Sequence, residues 1–261
     1  MRNRMLIVYI CASLLFLNAC TSANEKEKAQ GTNGKLTVAA ASDLQLAFTE
    51  MAKEFEEKMD TEVELTFGST GTLVQQIENG APYDVFAAAN VRFVDGLKEK
   101  GKTIPETQKI YSRGKIGIAA LKEKQLEVAN LQDLMKPEVK KIAIANPEHA
   151  PYGMAAKEAL ESAGLWDNIE EKLVYGKSIS DTLTIVATGN AEAGIIAHSI
   201  VTDEVNFSPV NEQLHGPINQ AITVIKGTDQ EKLAKEFVQY VTSKEGTEIL
   251  KKYGFSIPEG G

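Results

Sequence analysis

The sequence predicts an α/β fold in which mostly parallel sheets are covered by helices. Two observations point to this fold class. Short, continuous apolar runs alternate with amphipathic segments of helical period, and Ser, Thr and Gly gather at the junctions between the two patterns. Continuous apolar runs are typical of parallel strands, because both faces of such a sheet are covered, and their alternation with helices is typical of βα units.

A first βα series covers the stretch up to about residue 90. Its predicted strands are Leu36–Ala40, Val63–Phe67 and Asp84–Ala88. Between the first two strands, apolar residues recur at helical spacing from Leu44 to Met59, and Ser42 is placed to cap that helix. A second helix follows the turn Gly68–Gly71 and stops at Gly80, since glycine commonly ends helices.

A second βα series follows further along the chain. Its predicted strands are Ile116–Ala120, Lys141–Ala145, Leu173–Tyr175 and Gly194–Ala197, and its predicted helices run from about Tyr152 to Gly164 and from about Ser180 to Thr188. One more strand, Ala221–Ile225, follows, and helices then cover roughly Asp229–Thr242 and Lys244–Tyr253. Most of the chain is therefore assigned to strands and helices.

The N-terminus has the pattern of a targeting segment. Arg2 and Arg4 precede a mostly apolar run, Met5–Leu17, which is too short to span a bilayer comfortably. The run leads into Leu17-Asn18-Ala19-Cys20, which resembles the lipobox of bacterial lipoproteins. This resemblance implies a signal peptide over residues 1–19 and a lipid on Cys20. The alternative is an ordinary cleaved signal peptide with an incidental cysteine.

Cysteine usage agrees with an anchor. The chain has 2 cysteines: Cys11 lies inside the apolar run, and Cys20 would carry the lipid. No cysteine would then remain for a disulfide, a metal cluster or a nucleophile. Residues 20–33 are polar and lack apolar periodicity, so we expect a flexible tether.

Composition limits the function class. The chain has 261 residues, of which 43% are hydrophobic, enough for one large domain or two lobes of about 100 residues each. The formal net charge of −8 argues against nucleic acid as a partner, because phosphate binding relies on clustered Lys and Arg. Because the overall field of an acidic protein does not attract an anion, an anion site in this chain would have to rely on local hydrogen-bond donors.

Four turns share one design: an apolar strand, a short turn rich in Ser, Thr or Gly, and an amphipathic helix. They are Ala41–Asp43, Gly68–Gly71, Pro151–Gly153 and Ser178–Ser180. In open α/β sheets, ligands bind beyond the carboxyl ends of strands, where free N–H groups and the helix dipole favour an anion. A hydroxyl before a helix also commonly serves only as an N-cap, so the pattern alone leaves both interpretations open.

Five segments, in order, resemble the molybdate-binding proteins that serve ABC importers. They are Val38–Leu44 (VAAASDL), Phe67–Leu73 (FGSTGTL), Gly80–Phe86 (GAPYDVF), Asn146–Gly153 (NPEHAPYG) and Lys252–Phe255 (KYGF). The resemblance runs from about Lys35 to the end of the chain. It implies a two-lobed, periplasmic-binding-protein-like fold of type II, each lobe a mixed, mostly parallel sheet flanked by helices. Residues 34–113 plus 216–261 would form lobe 1, and residues 114–215 lobe 2.

The resemblance also implies a ligand site in the cleft between the lobes. Ser42 and Thr70 would each offer a hydroxyl and an amide, and Tyr152 and Ile179 would each offer a main-chain N–H. Some relatives add a tyrosine hydroxyl at the position that is Ala197 here. That donor is missing, or is replaced by His198, Ser199 or water.

Three other side chains are of types that can carry chemistry. His149 has neither His198 nor His215 nearby in sequence, so we expect a structural or surface histidine. Asp84 is expected to stabilise a turn, and Trp166 to pack in the core.

The sequence thus predicts a non-enzymatic receptor that captures molybdate or tungstate and delivers it to an ABC permease. It is expected to be a monomer, lipid-anchored on the outer face of the bacterial cell membrane, without a cofactor and without direct protein ligands to molybdenum. A sulfate or phosphate receptor is the first alternative. The second is a lipid-anchored hydrolase of a small ester, which would need a nucleophile and base that no motif supplies.

Overall fold

The computed structural model describes residues 34–258 and contains two five-stranded sheets. The first sheet is built from β1 (Lys35–Ala41), β2 (Glu62–Gly68), β3 (Val85–Ala88), β4 (Lys109–Gly114) and β10 (Ile218–Val224). The second is built from β5 (Ile116–Leu121), β6 (Ile142–Ala145), β7 (Leu173–Gly176), β8 (Ala193–Ala197) and β9 (Val205–Pro209). We call the half of the molecule around each sheet lobe 1 and lobe 2, respectively.

Both sheets are mixed and share one pairing scheme. The strand order is β2-β1-β3-β10-β4 in the first sheet and β7-β6-β8-β5-β9 in the second. In each sheet the first three strands pair in parallel, and the fourth strand pairs antiparallel with both of its neighbours. The predicted fold class, two lobes with mixed sheets flanked by helices, is confirmed.

Eight helices flank the sheets in the described part of the chain. They are α1 (Gln45–Met59), α2 (Thr70–Glu78), α3 (Val91–Glu99), α4 (Pro151–Ser162), α5 (Trp166–Ile169), α6 (Ile179–Ala187), α7 (Glu231–Val241) and α8 (Lys244–Lys252). Gly80 and Gly164 follow α2 and α4 with φ of +88° and +69°, a conformation in which glycine has no steric penalty.

The chain passes between the lobes twice. It leaves lobe 1 where β4 ends at Gly114 and β5 begins at Ile116, and it returns between Pro209 and Ile218. The largest cluster of buried apolar residues runs through both lobes, and each lobe has a smaller cluster of its own. In lobe 1, Phe237 of α7 packs edge-on against Phe55 of α1, with ring centroids 5.1 Å apart, an arrangement that aromatic rings favour.

The expectations about the N-terminus lie outside the described residues. These are the signal peptide over 1–19, the lipid on Cys20 and the tether over 20–33. Between residues 34 and 258, none of the helices combines the length and the apolar character that a membrane span requires.

Candidate functional site

The four predicted site residues lie around one cavity between the lobes. Ser42, Thr70, Tyr152 and Ile179 all line it, and each is almost fully buried, with 4%, 1%, 2% and 3% of its surface exposed. The cavity measures about 180 Å³ including the space at its mouth. The structure therefore brings together two turns of lobe 1 and two helix starts of lobe 2.

Strand register explains this convergence. β1 and β2 pair in parallel so that their last residues, Ala41 and Gly68, are partners. In lobe 2, the last residues of β6 and β7, Ala145 and Gly176, are partners as well. Each strand leads into a site residue within a few positions, so the carboxyl ends of two parallel pairs face each other across the cavity.

Three helix starts bring main-chain donors to the cavity. Thr70 and Ile179 are the first residues of α2 and α6, and Tyr152 is the second residue of α4. The first N–H groups of a helix have no partner inside it. Within residues 34–258, the N–H groups of these three residues donate to no protein acceptor. Together with the helix dipoles, they make the cavity favourable for negative charge.

The hydroxyl of Thr70 is oriented by its neighbour. The N–H of Ala89 donates to Oγ1 of Thr70 at 3.1 Å. Because that oxygen already accepts a hydrogen bond, its own proton remains available to donate. Ala89 also lines the cavity, so this pair holds the hydroxyl at the edge of the site.

Ser42 does not cap α1, contrary to the sequence prediction. It begins a short 3-10 turn, Ser42–Leu44, whose N-cap is Ala41, and this turn has no side-chain cap. The reason is a contact with lobe 2: Oγ of Ser42 accepts from the N–H of Ser180 at 3.4 Å, and Oγ of Ser180 donates to the carbonyl of Ser42 at 2.8 Å. Ser42 therefore faces the cleft, and its own proton is free to donate.

The lobes are also joined at the cavity rim. The N–H of Gly71 donates to the carbonyl of His149 at 2.9 Å, and Oγ of Ser69 is 2.9 Å from Nδ1 of His149. Ser69 additionally caps α2, because its Oγ accepts from the N–H of Thr72. With the Ser42–Ser180 pair, these bonds hold the cleft closed.

The electrostatics of the cavity come from dipoles and not from cations. Among its lining residues within the described chain, none is Lys or Arg, and Asp43 is the only charged residue. Burial raises the pKa of Asp43 to about 6, while hydrogen bonds from Gln220 and Tyr152 act in the opposite direction. Across residues 34–258, no three His, Cys, Asp or Glu side chains are grouped so as to hold a metal ion.

Sequence reasoning missed several residues beside the site. Asp43 lies within the first motif, where nothing in the local pattern marks it as a site residue, and Gln220 lies in β10, far away in sequence. His149, expected to be structural or on the surface, makes the cross-cleft contacts with Ser69 and Gly71. The signal for His149 was its place next to a site turn.

The position where some relatives would supply a tyrosine does not open into the cavity. Ala197 ends β8, is completely buried and is not among the described residues that line the cavity. His198 stacks on Phe207 with ring centroids 4.9 Å apart, and Oγ of Ser199 donates to the carbonyl of Asp43 at 2.9 Å. Neither side chain is among the described residues that line the cavity.

Two further expectations are met. Asp84 stabilises local structure: its Oδ2 accepts from the N–H of Thr37 at 2.7 Å, and its Oδ1 accepts from the hydroxyl of Thr228. Trp166 begins α5 and packs against the main hydrophobic core, with Nζ of Lys157 5.0 Å from the centre of its ring.

Comparisons with known proteins agree with this geometry. Residues 36–256 match the family model described as "Bacterial extracellular solute-binding protein". The molybdate-binding protein ModA of Rhodobacter capsulatus is 34% identical over 80% of this chain and 84% of its own length. The putative ABC transporter substrate-binding lipoprotein YvgL of Bacillus subtilis is 31% identical over 95% of this chain and 97% of its own.

A solved structure extends the likeness to three dimensions. The periplasmic molybdate-binding protein of Azotobacter vinelandii superimposes with a TM-score of 0.80 at 27% identity, covering 86% of this chain and 100% of that one. The resemblance to molybdate-binding proteins that the motifs indicated is therefore confirmed. The family-model match, the relatives and the shared fold show that the chain belongs to the bacterial extracellular solute-binding protein family.

Proposed function

We propose that this protein is an extracytoplasmic receptor that captures molybdate, or the closely similar tungstate, and delivers it to an ABC importer. One observation carries the proposal: neutral donors from four turns, two in each lobe, surround one small cavity. The molybdate-binding relatives support the choice of ligand.

The donor set matches a fully ionised tetrahedral anion. Such a dianion presents only hydrogen-bond acceptors, so a cage of N–H and O–H donors satisfies it completely. Charge-assisted hydrogen bonds of this kind are stronger than neutral ones, and closure of the cleft strengthens them by excluding water. The hydroxyls of Ser42 and Thr70 and the main-chain N–H groups of Thr70, Tyr152 and Ile179 would supply these donors.

A phosphate receptor is the nearest alternative, and one observation bears on it. Hydrogen phosphate carries an O–H that needs an acceptor, and the Asp43 carboxylate is at the cavity. Oδ2 of Asp43 already accepts from Tyr152 and Gln220, whereas its buried Oδ1 has no partner among residues 34–258 and could accept from such an O–H. The molybdate-binding relatives, and the neutral donors that make up the rest of the site, favour the fully ionised anion.

Isothermal titration calorimetry with molybdate, tungstate, sulfate and phosphate tests the proposal. We expect tight, one-to-one binding of molybdate and tungstate and much weaker binding of the other two. Tight binding of sulfate or phosphate, without molybdate or tungstate, would contradict it.

A second function, ester hydrolysis, has one observation in its favour. Oγ of Ser69 and Nδ1 of His149 are 2.9 Å apart beside the donors, as in a nucleophile and its base. Among residues 34–258, however, no carboxylate bonds His149 to orient it, and Ser69 is engaged as the N-cap of α2. We expect no turnover of p-nitrophenyl acetate above that of a Ser69→Ala variant.

The proposal includes the remaining features expected from the sequence. The chain would be a monomer, anchored through a lipid on Cys20 after removal of residues 1–19 and tethered by residues 20–33. Its lobes would be residues 34–113 plus 216–261 and residues 114–215, with the closed form docking on the permease. Mass spectrometry of the membrane-bound protein, with Cys20→Ser as the control, tests the anchor.

A further inference from the structure

A buried polar cluster lies directly behind the anion cavity. It consists of Asp43, Tyr152 and Gln220, which have 1%, 2% and 0% of their surface exposed. Asp43 follows Ser42 in lobe 1, Gln220 lies in β10 of lobe 1, and Tyr152 lies in α4 of lobe 2. We call it the Asp43 cluster.

Hydrogen-bond chemistry fixes the directions inside the Asp43 cluster. An ionised carboxylate only accepts, so the hydroxyl of Tyr152 donates to Oδ2 of Asp43, at 2.9 Å. The amide group of Gln220 also donates to that oxygen, and it donates to the hydroxyl oxygen of Tyr152 at 3.0 Å. Burial and the nearby charge of Asp43 raise the pKa of Tyr152 well above its usual value, so the phenol keeps its proton.

The hydroxyl of Tyr152 contacts three residues of lobe 1. Gly114, the last residue of β4 before the chain crosses to lobe 2, contacts this hydroxyl, and a side chain at position 114 would overlap it. Asp43, Gln220 and Gly114 therefore meet one atom of the opposite lobe. The phenol hydroxyl thus has a carboxylate acceptor in Asp43 and an amide donor in Gln220, and the absence of a side chain at Gly114 leaves room for it.

Tyr152 therefore touches both the anion cavity and the opposite lobe. Tyr152 lies in the first turn of α4, where its main-chain N–H is one of the cavity donors. Its side chain leaves its own lobe and ends on Asp43, 109 positions away in sequence. Any opening of the cleft that moves α4 away from lobe 1 must break this bond.

We propose that the Tyr152–Asp43 hydrogen bond is an interlobe clasp, which forms on closure and positions the main-chain N–H of Tyr152 against the anion. The proposal rests on the proposed function for the identity of the anion. Tyr152 and Asp43 act in it as positioning residues through their side chains. The clasp slows opening of the closed form, because the buried carboxylate loses a charge-assisted donor when the lobes separate.

Tyr152→Phe isolates the clasp, since it removes one hydroxyl and keeps the main-chain N–H. We expect molybdate affinity to fall about 10-fold to 100-fold, the range of a hydrogen bond to a charged group. The loss should appear as faster dissociation with association nearly unchanged, because the bond is made only after the lobes close.

Tyr240→Phe is the matched control. Tyr240 is also a buried tyrosine, with 8% of its surface exposed, and its hydroxyl donates to the carboxylate oxygen Oε2 of Glu54 at 2.7 Å. Tyr240 lies in α7 and Glu54 in α1, which both pack beside the first sheet, so this bond stays within lobe 1. The control should lower the melting temperature of the anion-free protein without changing molybdate affinity.

Calorimetry and stopped-flow dissociation of the wild type and the two variants decide the matter. Weaker binding in Tyr152→Phe alone supports the clasp. Wild-type affinity in Tyr152→Phe, or equal losses in both variants, overturns it. If the wild type binds none of the four oxyanions, the proposed function fails. The clasp is then tested by small-angle scattering of the anion-free proteins. A larger radius of gyration in Tyr152→Phe alone then supports it, whereas equal radii contradict it.

Discussion

The N–H of Gly71 in α2 donates to the carbonyl of His149, which precedes α4 in the opposite lobe, at 2.9 Å. This main-chain contact lies at the rim of the cavity and exists only when the lobes are together. It requires close approach: a Cβ on Gly71 would lie 2.7 Å from the carbonyl oxygen of His149. Glycine is therefore needed at position 71 for closure.

Gly71→Ala should accordingly impair anion binding more than stability. The added methyl group keeps the lobes apart by a fraction of an ångström, so donors of lobe 1 and lobe 2 no longer meet the anion together. We expect about a 10-fold or larger loss of molybdate affinity by calorimetry, because misplacing even one charge-assisted donor has this cost.

Gly96→Ala is the control for that substitution. Gly96 also lies in a helix, α3, but a Cβ there meets nothing within 4 Å. The control should raise stability by about 0.5–1 kcal/mol, as alanine does in a helix interior, and leave affinity unchanged. Equal affinity in the two variants would contradict the role of Gly71.

Thr70→Ala should weaken anion binding by about 1–3 kcal/mol, since a buried anion would lose a charge-assisted donor. Thr70→Ser keeps the hydroxyl and should retain most of the affinity. Ser42→Ala is expected to weaken binding by a similar amount. Unchanged calorimetric affinity in both alanine variants would remove these hydroxyls from the site.

Asp43 gives the stability of the protein a specific pH dependence. Its pKa is about 6 in the folded protein against 3.8 for an ordinary aspartate, so the folded state binds more protons between these values. Stability from this group is fully present below pH 4 and is lost as the pH rises through about 6. The total change is about 3 kcal/mol, at 1.36 kcal/mol for each unit of pKa shift.

Asp43→Asn removes this contribution, because an amide does not titrate. Urea unfolding of both proteins at pH 4, 5, 6 and 7 measures it. The free energy of unfolding of the wild type, minus that of the variant, should fall steadily across the series. Parallel pH profiles would show that Asp43 titrates in the folded protein as it does in an unfolded chain.

Binding should depend only weakly on salt. Sites built from Lys and Arg lose affinity as salt screens their charges, whereas this cavity uses main-chain and hydroxyl donors. The chain has a net charge of −8, which repels an incoming anion, so salt should if anything speed association. Between about 0.05 and 0.5 M NaCl we expect less than a threefold change in affinity. A steep fall would indicate a cationic site.

Much of the fold was predictable from local patterns. All eight predicted strands are present, because each is a continuous or alternating apolar run. The two strands that were missed, β4 (Lys109–Gly114) and β9 (Val205–Pro209), both lie at sheet edges and carry polar residues or proline. Edge strands are covered less and have no need of an apolar run, so their pattern does not stand out.

The site was predictable only in part, for a related physical reason. Ser42, Thr70, Tyr152 and Ile179 follow strands, so the rule that helix starts gather at the carboxyl ends of strands placed them together. The contacts of Asp43 with Tyr152 and Gln220 span 109 and 177 positions and follow from how the lobes close. Ser42 looked like a helix cap because its partner, Ser180, lies in the other lobe.

The most direct test of the central claim is diffraction from crystals grown with molybdate, with data collected at the molybdenum absorption edge. We expect one strong anomalous peak in the cavity. Its oxygen atoms should lie within hydrogen-bonding distance of Ser42 and Thr70 on one side and of the N–H groups of Tyr152 and Ile179 on the other. A peak elsewhere, or an anion held by Lys or Arg side chains, would contradict it.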